Sequence, residues 1–283
     1  AAIDNFPNRH HVGIPKQFSD CVPGFSHEYI RYMQGGVLRG SFRPLNDAVM
    51  AGRIRGVAGV VGCNNPRATQ DAAHNYIVKE LLKNDVLVAQ TGCGALANAK
   101  YGLLLGEAAF EYAGPGLREV CEAIGIPPVL HLGSCVDNTR ILTVLTEMAT
   151  EGGLGDDISD IPGVGIAPEW MSEKALAIGA YFAASGAYVM FGVNSPVEAS
   201  DEVTRIMSEG WEKMVGGKME FVTDMEEIVR RSLDHIDKKR AALGLPAYDP
   251  SKFGVSGDAR MGRLLTMPVL ERAEAVYGGV AVR

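Results

Sequence analysis

No block of lysine and arginine occurs anywhere in the sequence, and no apolar run is long enough to span a bilayer. The 34 acidic residues outnumber 27 basic ones and leave a net charge of -7. That balance argues against nucleic acid or membrane insertion as the natural association. The segment AAIDNFPNRHH lacks the charged-then-apolar layout of a secretion signal, so a cytoplasmic location is expected. There is no internal repeat and no low-complexity tract. There is also no C-x-x-C pair of the kind structural zinc sites use, and no G-x-G-x-x-G following a strand. Cysteine is sparse and odd in number: Cys21, Cys63, Cys93, Cys121 and Cys135. That count speaks against a disulfide framework and leaves metal binding, catalysis or burial as the alternatives.

What is present reads as a globular chain with 47% hydrophobic and 22% charged residues, ample for a core. Short apolar runs alternate with amphipathic stretches. GVAGVV (56–61) precedes a helix over about 69–83, and DVLVAQ (85–90) precedes a helix over 95–105. A helix over 117–124 leads into PPVLHL (127–132), and ILTVLTEMAT belongs to the next helix. AYVMFG (187–192) precedes a helix starting near Ser200, and MEFV (219–222) precedes one over about 225–243. Strands that are continuous rather than alternating suit a parallel sheet covered on both faces. The expectation is a doubly wound, Rossmann-like α/β domain over 1–245 with helices on both faces of a mostly parallel sheet. Its first 55 residues form a helical lead-in, with Ser26 capping SHEYIRYM and Pro44 in the first turn of another helix. Residues 246–283 are expected to be a tail packed on the domain.

Three cysteines share one topological position. GVVGCNNP ends its strand at Cys63, VAQTGCGA at Cys93 and HLGSCVDN at Cys135. In open parallel sheets ligands bind beyond the carboxyl ends of the strands, where residues distant in sequence converge. Gly62, Gly92, Gly94 and Gly133 allow tight turns, and each cysteine precedes a helix whose amino end favours thiolate. A single free cysteine is more often core filler. That reading is kept for Cys121, on the apolar face of LREVCEAIG, and Cys21 is expected to be inert. Three at one edge point to metal or cluster ligation. Thiolates select zinc, cuprous copper or iron–sulfur clusters, and widely separated single cysteines suit a large inorganic cluster.

GCNNPRATQD, KNDVLVAQTGCGALANAKYGLL, VLHLGSCVDNTR and EWMSEKALAIGAYF, in this order between about Leu45 and Leu243, resemble the C-terminal domain of nickel–iron–sulfur carbon monoxide dehydrogenase. The resemblance implies reversible oxidation of CO with water to CO2, two protons and two electrons at a Ni-4Fe-4S type cluster. It implies that Cys63 and Cys93 ligate irons and that Cys135 reaches the nickel. It implies that Lys174 is the catalytic lysine beside the cluster, stabilising developing carboxylate charge, and that Ile178 lines the CO-binding position. From the residues alone, Lys174 opens a nearly all-apolar stretch, Ala175 to Ala184. A helix buried on most sides is expected there, with the lysine pointing into a site or along its rim.

The histidines receive less. His131 alternates with leucines on a strand and is expected to be buried and satisfied. His74 is expected at the surface or behind a ligand. His10 and His11 have no positional warrant, and His27 and His235 look like ordinary helix residues. The family's further cluster ligands, its electron-relay 4Fe-4S cysteines and its proton-transfer histidine, which lie upstream in the longer family chain, have no counterpart here. The expectation is therefore a C-terminal piece or a shortened relative, inactive in isolation. The resemblance also implies a homodimer, with an acetyl-CoA synthase subunit and ferredoxin as further partners. Two other readings compete. One is a hybrid-cluster, hydroxylamine reductase-like domain, for which Glu173 offers a carboxylate; the other is a metal-free assembly module.

Overall fold

A computed structural model of the chain describes residues 1–10, 13, 16, 18–197 and 199–253. Six strands form one sheet: β1 (Gly56–Val60), β2 (Val86–Thr91), β3 (Val129–Gly133), β4 (Gly163–Ala167), β5 (Tyr188–Phe191) and β6 (Lys218–Phe221). The main helices are α1 (His27–Met33), α2 (Arg43–Met50), α3 (Ala72–Lys83), α4 (Gly92–Ala99), α5 (Pro115–Ile124), α6 (Asn138–Glu151), α7 (Glu173–Ala184) and α8 (Met225–Ala242). All strand pairs are parallel, and the order in space is β3-β2-β1-β4-β5-β6. The doubly wound α/β expectation is met. The order reverses between β1 and β4, which is where such sheets open a crevice.

Both faces are covered, which is why the strands read as unbroken apolar runs. Gly56 and Gly59, three apart on β1, face opposite sides of the sheet. A Cβ on Gly56 would strike Ile236 of α8, whereas one on Gly59 would meet Ile141 of α6 at 3.8 Å. So α8, which packs with α3, lies on one face, and α6 lies on the other. The core between them includes Val60, Ile77, Leu81, Val86, Val88 and Ile166, all essentially inaccessible.

Local chemistry sets the helix ends. The Tyr29 N–H donates to Ser26 Oγ at 3.2 Å, capping α1, and Pro44 occupies the first turn of α2. Asp224 accepts from the N–H groups of Glu226 and Glu227 at the start of α8. The lead-in then protects the free edge of β3, with Gly24 and Phe25 donating to His131 O.

Two expectations need correction. The helix expected over 95–105 runs over Gly92–Ala99 and gives way to turns before a short helix, Ala108–Tyr112. The central strand β4 was not anticipated at all. Its sequence, GVGIA, alternates two glycines with Val164 and Ile166, and the sheet needs those glycines. A Cβ on Gly163 would sit 3.0 Å from Val57 Cγ2 of the neighbouring strand.

At the amino end of the sheet, Arg240 is 2% exposed and donates to the carbonyls of Val49, Arg55 and Pro246. Tyr248 OH donates to buried Asp85 at 2.7 Å, so residues 246–253 are fastened here. Residues 254–283 of the expected tail lie outside the described residues. No helix among the described residues is long and apolar enough to cross a membrane.

Candidate metal centre at the carboxyl edge of the sheet

Each of the three strand-end cysteines is a free thiol beyond its strand, on β1, β2 and β3, which are neighbours in the sheet. Cys63 and Cys135 are half-buried and Cys93 is exposed. A register shift at the end of β2 pairs Gln90 with His131 but Thr91 with Gly133. Such irregularities re-aim the backbone beyond them, and here the strand end turns toward Cys135. Gly92 has φ 55, and a Cβ on it would lie 2.5 Å from Cys135 Sγ. Only glycine leaves that sulfur its place.

Cys135 stands in a short 3₁₀ turn (Cys135–Asp137) that runs into α6. Asp137 Oδ2 accepts from the Ser134 N–H at 2.8 Å and from its hydroxyl at 3.1 Å, while Arg140 Nε donates to the other oxygen. The Ser134 amide and then Arg140 hold the Asp137 carboxyl below the usual carboxylate range. Thr91 Oγ1 donates to buried Asn138 at 2.6 Å and locks the end of β2 to the start of α6. Cys93 is the second residue of α4, at its positive end. Cys63 differs from expectation. Eight residues separate it from α3, so that helix dipole does not reach it; its neighbour is Ser172 Oγ at 4.0 Å.

A cavity of about 150 Å³ opens between α6, α7 and the sheet face at the β1/β4 reversal. Its upper wall includes Cys63, Cys135, Asn138, Ser172, Lys174 and Ile178. The structure thus brings four of the five residues singled out from sequence to one cavity, and leaves Cys93 beside it. Apart from Ser159 and His235, the rest of the lining is apolar. Lys174 is exposed in the first turn of α7 and has no carboxylate within 4 Å among the described residues. Glu173 is also exposed but stands outside the cavity lining. The expectation that α7 is buried on most sides fails. Gly179, Phe182 and Ala183 face the core, whereas Lys174, Ala177 and Tyr181 are exposed. Ile178 is half-buried, packs on the core and also lines the cavity.

Among the described residues, no three His, Cys, Asp or Glu side chains gather closely enough to hold a single metal ion. Three free thiols spread along an edge suit a polynuclear centre, which distributes its ligands over several metal atoms. The donor set is soft, a glycine makes room for one sulfur, and the lysine has no carboxylate partner among the described residues. The residues present fit one side of an iron–sulfur type group.

His131 is half-buried rather than buried; its Nδ1 accepts from the Gly133 N–H at 3.1 Å, and partial burial lowers its pKa. His74 is fully buried, not at the surface, and its Nε2 donates to Cys63 O at 2.8 Å. Cys121 is buried, and burial pushes its thiol pKa up. Cys21 is exposed. Sequence reasoning missed Ser172, Asn64, Asp71 and Glu169. The density of polar side chains in CNNPRATQD, a segment between a strand and a helix, was the available signal.

Large apolar side chains are exposed around the same edge: Leu96, Tyr101, Val136, Met171 and Tyr181.

Residues 1–226 match the Prismane/CO dehydrogenase family. Carbon monoxide dehydrogenase 1 of Methanosarcina mazei is 48% identical over 246 residues, which are 86% of this chain and 38% of the relative. The carbon monoxide dehydrogenase/acetyl-CoA synthase subunit beta of Moorella thermoacetica is 37% identical over 257 residues, 86% of this chain and 38% of the relative. The Ni-free crystal structure of carbon monoxide dehydrogenase from Thermococcus sp. AM4 superposes with a TM-score of 0.79 at 46% identity, covering 87% of this chain and 38% of that one. The chain thus spans about two-fifths of the length of the relatives it matches. Strand order, strand-end thiols and these likenesses agree, and the chain belongs to the Prismane/CO dehydrogenase family.

Proposed function

We propose that this chain forms one wall of the catalytic centre of a carbon monoxide dehydrogenase, interconverting CO and water with CO2, two protons and two electrons. The observation that carries the reading is the meeting of Cys63, Cys135, Lys174 and Ile178 on a single cavity at the sheet reversal. Cys63 and Cys93 would hold irons of a Ni-4Fe-4S type cluster, and Cys135 would hold its nickel. The cluster, when bound, supplies a soft, redox-active metal that takes up CO and receives the electron pair. Lys174 places an unneutralised ammonium where negative charge develops on the substrate oxygens. Ile178 presents an aliphatic surface beside that position and keeps it narrow and dry. Asn138 and Thr91 fix the turn that carries Cys135.

The remaining ligands, the electron-relay clusters and the homodimer contact belong to the rest of a longer family protein. The apolar rim at Leu96, Val136 and Met171 is the surface such a segment would cover. The Moorella relative supports an acetyl-CoA synthase partner; ferredoxin suits the electron balance. The hybrid-cluster alternative loses ground because Glu173, its candidate carboxylate, is exposed and is not part of the cavity lining that includes Lys174.

Anaerobic reconstitution of the full chain with iron, sulfide and nickel, followed by metal and sulfide analysis, tests this. Cys63→Ala, Cys93→Ala and Cys135→Ala are each expected to lower the iron retained. Uptake that is unchanged in all three overturns the ligand assignment and favours a metal-free assembly module. The 283-residue chain by itself is expected to show no viologen-linked CO oxidation.

A further inference from the structure

Behind the Cys63 loop lies a buried polar group that packing alone does not require. His74 on α3 donates through Nε2 to Cys63 O at 2.8 Å. A carbonyl only accepts, so the proton is on Nε2. The other edge of the ring lies against Gly94, the residue after Cys93, where a Cβ would come within 3.0 Å of His74 Cε1. One imidazole therefore sits between the Cys63 loop and the first turn of α4, which carries Cys93. Its Nδ1 is buried without a partner among the described residues. The ring is placed by one hydrogen bond to the Cys63 loop and one close approach to the backbone of α4 at Gly94.

Asn64 extends the arrangement. Its Nδ2 donates to Asp71 Oδ1 at 2.9 Å and to Glu169 Oε2 at 3.1 Å. Asp71 is 3% exposed, adopts φ 64, and accepts on Oδ2 from Lys100 Nζ at 2.6 Å, just past α4. Glu169 is 1% exposed, comes from the loop after β4, and accepts from the Ala73 N–H at 3.1 Å in the first turn of α3. Two loops, after β1 and β4, and the C-terminal end of α4 are joined by side chains that are costly to bury. Two nearly inaccessible carboxylates and a left-handed non-glycine residue persist only where the surroundings over-determine them.

We propose that His74, with Asn64 and Glu169, are positioning residues that set the direction of the Cys63 and Cys93 sulfurs toward the cluster. The assignment rests on reading those cysteines as ligands. Residues that orient metal ligands typically change affinity about 10- to 100-fold when lost.

The test uses the full chain, free of metal and without oxygen. Rates of iodoacetamide modification of Cys63 and Cys93 are read by peptide mass spectrometry, with exposed Cys21 as internal reference. His74→Leu removes the donor and is expected to shift the Cys63 rate while leaving Cys21 unchanged. His74→Gln keeps a side-chain N–H and is expected to restore it. Glu169→Gln keeps shape and removes charge, and decides the matter if the leucine variant does not fold. Iron retained after reconstitution is expected to fall about tenfold in His74→Leu. A folded variant whose Cys63 and Cys93 rates match wild type relative to Cys21 overturns the positioning role. If the wild-type chain takes up no iron, the ligand reading fails instead, and the thiol rates still report on the loops.

Discussion

Replacing Gly92 with alanine separates backbone strain from crowding at Cys135. At φ 55 an alanine costs roughly 1–2 kcal/mol relative to ordinary backbone, offset in part by the stiffer unfolded chain. Gly125, at φ 78 with nothing within 4 Å of its would-be Cβ, carries the same backbone term without the contact. The difference between Gly92→Ala and Gly125→Ala therefore isolates the 2.5 Å approach to Cys135 Sγ. That sulfur ends a short side chain and escapes by turning about χ1, so the excess is expected to be about 0.5–1.5 kcal/mol. The larger effect is positional, because a turned side chain no longer aims its sulfur at the same point. Urea unfolding of the metal-free chain measures the stabilities, and Cys135→Ala combined with Gly92→Ala closes a double-mutant cycle. Equal costs for the two glycine substitutions, with no relief from Cys135→Ala, would refute the contact and the cradle argued from it.

Arg240→Met leaves three carbonyls without their donor, and is expected to cost about 2–4 kcal/mol in denaturant unfolding. Cys121→Ala is expected to leave iron uptake unchanged, and the Cys121 thiol to resist iodoacetamide until urea unfolds the chain, because burial raises its pKa. His235 packs against Tyr188 at 4.9 Å, and burial lowers its pKa to about 3. The unfolded chain therefore binds a proton below about pH 6.5 that the folded chain refuses. Stability is expected to fall from about pH 6.5 downward by up to about 1.4 kcal/mol per pH unit, levelling near the folded value. His235→Leu is expected to flatten that part of the pH–stability curve, and an unchanged slope would assign it to other groups.

The edge that holds the thiols was legible because three short apolar runs each stop at glycine and cysteine, and parallel topology sends strand ends to one side. The fourth wall was not legible. β4 is built from glycine and small apolar residues whose purpose is to let Val57 and its own neighbour Val189 approach. Their spacing to partner strands is a tertiary fact with no local signature. Lys174 was placed by motif, but its helix was misjudged because the exposed apolar residues Ala177 and Tyr181 look identical to core in sequence. His74 shows the same limit from the other side. A histidine on an amphipathic helix reads as surface until the carbonyl it serves is known, and Cys63 O is eleven residues away.

The order of the strands in space also sets an order in time. β1, β2 and β3 precede β4 in the chain and lie side by side with β2 between the other two, so all three strand-end thiols can be assembled before β4 exists. The flank of β1 that β4 will occupy remains open until the crossover returns, and Lys174 and Ile178 arrive only after it. A nascent chain made from its amino end thus displays soft donors on a half-built sheet ahead of the cation that completes the pocket. In that interval the sulfurs are open to oxidation and to whichever thiophilic metal is at hand.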